Sequence, residues 1–153
     1  MSEYETVDVG ASELSLEGID TWIIVGATTV GVLVNLTGLM VPLLTRIGGG
    51  IVAGFIAAYA VRQVASGIVH AMIASALVGG LAGTVTAFLG TILGLYNEPP
   101  LLVLASIGPI SPMLTGLGLP SFVLLVLAFS LLTAVDGLVG GLVGSGLRAL
   151  LPW

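Results

Sequence analysis

After residue 20 the chain contains almost no charge. Six of its eight acidic residues lie within the first 20 positions, and the remaining 133 residues hold only two acids and three arginines. Charged residues make up 7% of the whole chain, whereas a typical soluble domain has about 25%. A water-exposed surface cannot be built from so few charges, so the sequence predicts a protein of the lipid bilayer.

Four apolar segments are candidates for crossing the membrane, which takes about 20 residues. They are residues 22–44, 47–61, 66–95 and 121–151. The second segment is short, and we expect it to span rather than to re-enter, with the stems of Arg46 and Arg62 reaching either interface. The predicted fold is therefore an all-α, polytopic transmembrane helical bundle with four spans and small-xxx-small helix packing. A fifth span across residues 101–119 is the alternative.

The sequence divides into two parts. Residues 1–21 form an acidic hydrophilic N-terminal tail, and residues 22–153 form the transmembrane helical domain. The tail begins with acidic residues, whereas a secretory signal peptide begins with basic ones. A short helix on the membrane surface and a solvated segment are equal alternatives for it. Asp20 or Thr21 is expected to cap the first span.

Several kinds of chemistry are disfavoured by the residues present. The chain has no Cys and one His, which excludes disulfides and thiolate metal sites and leaves no histidine cluster for a metal. No acid and nucleophile flank the histidine in a catalytic pattern, and no basic patch is available for nucleic acid. We therefore expect a protein that is not an enzyme and that has no cofactor, metal or nucleic-acid partner.

Small residues recur at every fourth position of the helix-length segment 66–90. Residues i and i+4 lie on one face of a helix, and in lipid a face of small residues lets two helix backbones approach closely. The segment is predicted to pack along most of its length, either within the chain alone or also against other chains. Its small residues are Gly67, Ala71, Ser75, Gly79, Gly83 and Ala87. The last helix repeats the pattern with Gly137, Gly140, Gly141 and Gly144.

Two ionisable residues within the apolar segments are candidates for an ion or proton site. Asp136 lies inside the last segment, where a carboxylate is costly and raises the hypothesis of function; its alternative is a structural contact, for example with Arg62 or Arg46. His70 is expected to be solvated at the interface, with a role as proton-relay partner of Asp136 as the alternative. Asn35 is expected to form an interhelical hydrogen bond or to bond to a backbone carbonyl.

The chain resembles small Gly-rich haloarchaeal integral membrane proteins of unknown function. The resemblance covers residues 25–150 and rests on "GGGIVAGFIAAYAV", "SGIVHAMIASALVGG" and "GLVGGLVGSGLRALL". Arginine as the only basic residue besides His70, together with the acidic tail, looks halophilic. The resemblance implies no activity and no site residues. Size, glycine content and Asp136 are also similar to the rotor-ring proteolipid of V-type ATPases, but "VRQVASG" lacks the proline of that family's polar loop.

These observations favour a non-enzymatic structural or assembly protein, integral to a cell membrane or to the membrane of a virion. It would be an accessory subunit of a larger membrane complex or a virion membrane protein. Its expected partners are the lipid bilayer and other membrane protein chains. The alternative is a small channel or a proton or ion carrier that uses Asp136.

Overall fold

The computed structural model describes residues 18–38, 48–89 and 119–151. They contain four α-helices, which we number in chain order: α1 (Thr21–Gly38), α2 (Gly49–Ala60), α3 (Val64–Ala87) and α4 (Leu119–Leu150). The all-α prediction is confirmed for these residues. Most of the acidic tail, and the proposed fifth span apart from residue 119, lie outside the described residues.

Three of the helices are long and apolar enough to cross a membrane. With a rise of 1.5 Å per residue, α1, α3 and α4 are about 27, 36 and 48 Å long, compared with a hydrocarbon core of about 30 Å. The prediction of a membrane-spanning helical protein agrees with this finding. Helix α2 has 12 residues and is only about 18 Å long, so helix length establishes three spanning candidates rather than four.

Adjacent helices in the sequence run in opposite directions. Along α3 and α4, Gly67 lies opposite Ser145 and Gly83 lies opposite Phe129, so numbers rise on one helix as they fall on the other. Helix α2 runs antiparallel to α3, since Gly67 faces Ala58 whereas Ser75, later in α3, bonds to Gly50 at the start of α2. It follows that α2 and α4 run in the same direction.

One end of the bundle carries most of the charge among the described residues. The start of α1 meets α3 there, because the backbone N–H of Asp20 donates a hydrogen bond to His70. The end of α2 and the end of α4 meet there as well, through Tyr59 and Arg148. We call this end, with Asp20, Arg62 and Arg148, the charged end.

The bundle has a small-residue interior and a large-residue exterior. The fully buried apolar positions are mostly alanines, and the largest side chains with under 2% exposure are His70, Val78 and Ser75. Large apolar side chains point outward, as Leu131 and Leu132 do with 70% and 64% of their surface exposed. This is the reverse of a water-soluble bundle and is the arrangement expected in lipid, where burying a leucine gains little and close backbone contact gains more.

Candidate functional site

The row of small residues on α3 faces inward. All six of its residues are buried: Gly67, Ala71, Ser75, Gly79, Gly83 and Ala87. A Cβ atom on Gly83 would lie 2.9 Å from the Cβ of Phe129 and 3.0 Å from the Cα of Val126. One on Gly79 would collide with Thr133 and with the backbone of Phe129. The backbones of α3 and α4 are therefore close enough to exclude any side chain at these two glycines.

The four predicted glycines of α4 are buried and face two different helices. Gly137 and Gly141 face α3; a Cβ on Gly141 would lie 2.7 Å from the Cβ of Ala71. Gly140 and Gly144 face α2; a Cβ on Gly144 would lie 2.5 Å from the carbonyl oxygen of Phe55. Each pair has the spacing of four that lies on one helix face, so α4 presents one glycine pair to each neighbour.

Three hydrogen bonds from polar side chains join the first three helices. Asn35 of α1 accepts from the backbone N–H of Gly49 at 2.7 Å, which confirms the predicted interhelical bond. Thr28 of α1 donates to the carbonyl oxygen of Ala74 in α3 at 3.3 Å. Ser75 of α3 donates to the carbonyl oxygen of Gly50 at 2.6 Å. Each of these three side chains is hydrogen-bonded to a backbone group of a neighbouring helix. None of them therefore incurs the free-energy cost of an unsatisfied polar group in lipid.

Helix α2 begins at the middle of the bundle. Its first turn contains Gly50, which is bonded to Ser75, the twelfth of the 24 residues of α3. Gly48, just before the helix, has a φ angle of 56°, a backbone conformation that residues other than glycine rarely adopt. The backbone therefore enters α2 at mid-depth through a glycine and runs from there to the charged end.

Asp136 lies beside this mid-depth start of α2. Its Cβ is 3.3 Å from where a Cβ on Gly50 would be, and its carboxylate is 3.8 Å from the corresponding position on Gly48. A helix N-terminus bears a partial positive charge, which favours a nearby carboxylate. The suggested contact with Arg62 is wrong, because Arg62 is exposed at the opposite end of α2. The other suggested partner, Arg46, lies outside the described residues.

The C-terminal end of α2 is contacted by Arg148, which belongs to α4 as Asp136 does. The guanidinium of Arg148 donates to the carbonyl oxygen of Tyr59 at 2.5 Å and lies 5.7 Å from the centre of the tyrosine ring. A cation there complements the partial negative charge of the helix C-terminus. Asp136 and Arg148 are 12 positions apart in the sequence, and α2 has 12 residues. The sequence alone did not indicate this role of Arg148. The 12-residue separation of Asp136 and Arg148 becomes informative only when α2 and α4 are known to run in the same direction.

His70 is buried, with 1% of its surface exposed, so the expectation of a solvated histidine is wrong. Its Nε2 accepts from the backbone N–H of Asp20 at 2.9 Å, and its Nδ1 lies 2.7 Å from the carbonyl oxygen of Ser66. Both ring nitrogens therefore have partners other than Asp136. His70 lies at the charged end and Asp136 lies at the middle of the bundle, so the two candidate residues do not form one site.

Within the three described stretches, no group of three or more His, Asp or Glu side chains is arranged to hold a metal ion. No protein-family model matches the sequence, and comparison with curated proteins and with solved structures finds no similar chain.

Proposed function

We propose that this chain is a non-enzymatic structural membrane protein, acting as an accessory subunit of a larger membrane complex or as a membrane protein of a virion. The observation that supports it most directly is the contact of helix backbones at Gly54 and Gly137, where a Cβ on Gly54 would lie 2.5 Å from the Gly137 carbonyl oxygen. Small-xxx-small packing of this kind favours a stiff bundle with little interior space. In this proposal the chain crosses the membrane four times. Helix α2 belongs to the second crossing and accounts for the half of it that is nearest the charged end.

The surface that a partner chain would contact is the outer face of the bundle. The small residues of α3 are covered by α2 and α4 of the same chain, so they are not free for another chain. Helix α4 instead exposes a row of apolar residues: Leu124, Leu131, Val135, Leu138 and Leu142. The intervals between these residues are seven, four, three and four, which is the spacing of a helix–helix seam and supports a second membrane helix as a partner at this face.

The test is the native mass of the protein in a mild detergent, with identification of co-purifying chains. We expect a particle heavier than one chain, and crosslinks formed through the α4 face. Leu131→Trp and Leu138→Trp should reduce the association, whereas tryptophan at the exposed Val85 of α3 should not. A single chain with no co-purifying protein, in several detergents and in nanodiscs, would argue against the proposal.

The acidic tail is proposed to contact a partner or to remain hydrated at high salt. The proposed haloarchaeal origin rests on the Gly-rich segments, on that tail and on the absence of lysine. A virus of such a host is the alternative source. Deleting residues 2–17 keeps Ile19, which packs against the core, and Asp20. We expect the shortened chain to insert into membranes normally and to lose partner contact. Loss of insertion would show that the tail belongs to the membrane fold.

A second candidate function, a small channel or an ion or proton carrier, is favoured by one observation. Asp136 lies at mid-depth beside the start of α2, and transporters often place binding groups where a helix begins inside the membrane. Reconstituted vesicles should distinguish the two functions. We expect no ion or proton flux from the unmodified protein; a pH-dependent flux that Asp136→Asn abolishes would establish the carrier function instead.

A further inference from the structure

The single histidine connects the start of α1 to α3 through a hydrogen bond to main chain. The backbone N–H of Asp20 is always a donor, so His70 Nε2 must present a lone pair to it. The carbonyl oxygen of Ser66 is always an acceptor, so Nδ1 must carry the hydrogen. Two groups with fixed roles thus specify one neutral form of the ring, with a proton on Nδ1 and none on Nε2.

A second proton on this ring would occupy the position that Nε2 uses as an acceptor. The Asp20 N–H and the new Nε2–H would then point at each other, and neither donor would have an acceptor there. A buried donor left without a partner costs about 1–3 kcal/mol. Because His70 is 1% exposed, water does not replace the lost partner unless the helices separate.

Besides His70, the described residues include five charged or titratable groups, and three of them have other partners. On α1, the Asp20 carboxylate accepts from the backbone N–H groups of Trp22 and Ile23. On α2 and α4, Tyr59 and Arg148 contact each other. The remaining two are Arg62, which is exposed at the turn before α3, and Asp136, which lies beside the start of α2. Within the described part of the chain, Asp20 is the only charged or titratable residue that is hydrogen-bonded to the imidazole, and it is so through its main chain.

We propose that the His70–Asp20 contact is a proton-sensitive latch that holds the start of α1 on α3 and opens when His70 takes up a proton from the water at the charged end. His70 lies in the second turn of α3, about 9 Å along the helix from Val64, and Asp20 is exposed. The path from water is therefore short. Acidification on that side of the membrane would release the start of α1 without requiring the rest of the bundle to unfold.

The first measurement follows the protonation of the ring in the unmodified protein in nanodiscs. Because the chain has one histidine, ¹⁵N-histidine labelling gives NMR signals from this ring alone. We expect the Nδ1–H form before acidification and a doubly protonated ring after it. An Nε2–H form before acidification, or a ring that stays neutral after it, would overturn the proposal.

The second measurement follows the distance between α1 and α3. Spin labels at Gly18→Cys and Gln63→Cys suit it, because the chain has no other cysteine and both positions are exposed. We expect a longer-distance population to appear on acidification, in step with the NMR change. Loss of that response in His70→Gln, which cannot take up the proton, would support the latch.

Asp20→Asn is the matched control for the carboxylate, because it keeps both the main-chain donor and a side chain that caps helices well. The pH response should persist in this variant. A response that disappears with Asp20→Asn, or that survives His70→Gln, would assign the effect to another group. A distance that stays constant while the ring becomes doubly protonated would show that the imidazolium keeps its hold on α1, which would also overturn the proposal.

Discussion

Gly54 of α2 and Gly137 of α4 meet backbone to backbone, with 2.5 Å between the carbonyl oxygen of Gly137 and the position of a Cβ on Gly54. Gly137 is equally constrained on its other side, where a Cβ would lie 2.8 Å from the carbonyl oxygen of Ala71. One glycine of α4 therefore lies between two neighbouring helices. The centre of the bundle is a three-helix contact in which an added Cβ on either glycine would meet backbone atoms of a neighbouring helix.

Alanine at Gly144 and at Gly146 should have opposite effects on stability. Both glycines are in α4, but a Cβ on Gly144 would lie 2.5 Å from the Phe55 carbonyl oxygen, and one on Gly146 would have nothing within 4 Å. We expect Gly144→Ala to lower the free energy of unfolding by about 1–3 kcal/mol through overpacking. Gly146→Ala should be neutral or raise it by up to about 1 kcal/mol, from helix propensity. Reversible unfolding in mixed micelles measures both; equal effects would mean that α2 and α4 are farther apart than the structure shows.

Removing the Ser75 hydroxyl should weaken the contact between α3 and α2. The hydroxyl is buried and donates to the Gly50 carbonyl oxygen, and side-chain hydrogen bonds inside membranes contribute about 0.6 kcal/mol on average and up to about 1.7. We expect Ser75→Ala to cost an amount in this range. Thr84→Ala is the control, because Thr84 is exposed and bonds within its own helix to Gly80. A loss no larger than that of the control would show that the Ser75 bond contributes nothing to stability.

Asp136 and Arg148 of α4, which lie beside the two ends of α2, should each contribute to the stability of the bundle. Charges that complement a helix dipole contribute about 0.3–1 kcal/mol, and up to about 2 when partly buried. We expect Asp136→Asn and Arg148→Gln each to destabilise the bundle by this order. Arg62→Gln, which changes an exposed arginine at the same end of the bundle, should have little effect. If Asp136→Asn stabilises the protein, the carboxylate lowers the free energy of unfolding of the unmodified protein. That result would favour the carrier function, in which the carboxylate is needed for ion or proton binding.

Labelling with a membrane-impermeant thiol reagent should place both chain ends and the α2–α3 turn on one side of the membrane. The chain has no cysteine of its own, so single cysteines at Gly18, Gln63 and Leu151 give unambiguous results. We expect all three to react from the same side, and Phe88→Cys, at the other end of α3, to react from the opposite side. Reaction of Gly18→Cys and Gln63→Cys from different sides would contradict the parallel arrangement of α1 and α3.

The sequence carries enough information to identify the class of the protein and the inward face of α3. Spacing of small residues by four is local information, and all six of those residues are buried; that their small size is what holds the helices together stays a prediction. Asn35 was also predictable, because an amide in a membrane helix needs a partner nearby. The helix cap was predicted correctly as well, since Asp20 accepts from the N–H groups of Trp22 and Ile23.

The surroundings of Asp136 and His70 could not be predicted, because both side chains lie beside main chain that is far away in the sequence. Asp136 lies beside glycines 86 and 88 positions earlier, and His70 bonds to an N–H 50 positions earlier. Backbone groups are the same in every residue, so no sequence pattern identifies them as partners. The start of α2 at the middle of the bundle was missed for a related reason: composition shows that a segment is apolar but not where along its neighbours its helix begins.

The short α2 has a consequence for how the protein is made. A 12-residue helix is too short to cross the bilayer during synthesis by its own hydrophobicity. Its start is bonded to Ser75 and its end to Arg148, and both residues leave the ribosome after α2 does. Helix α2 would therefore reach its final depth only when α4 has been synthesised, so the last segment translated completes the placement of the second.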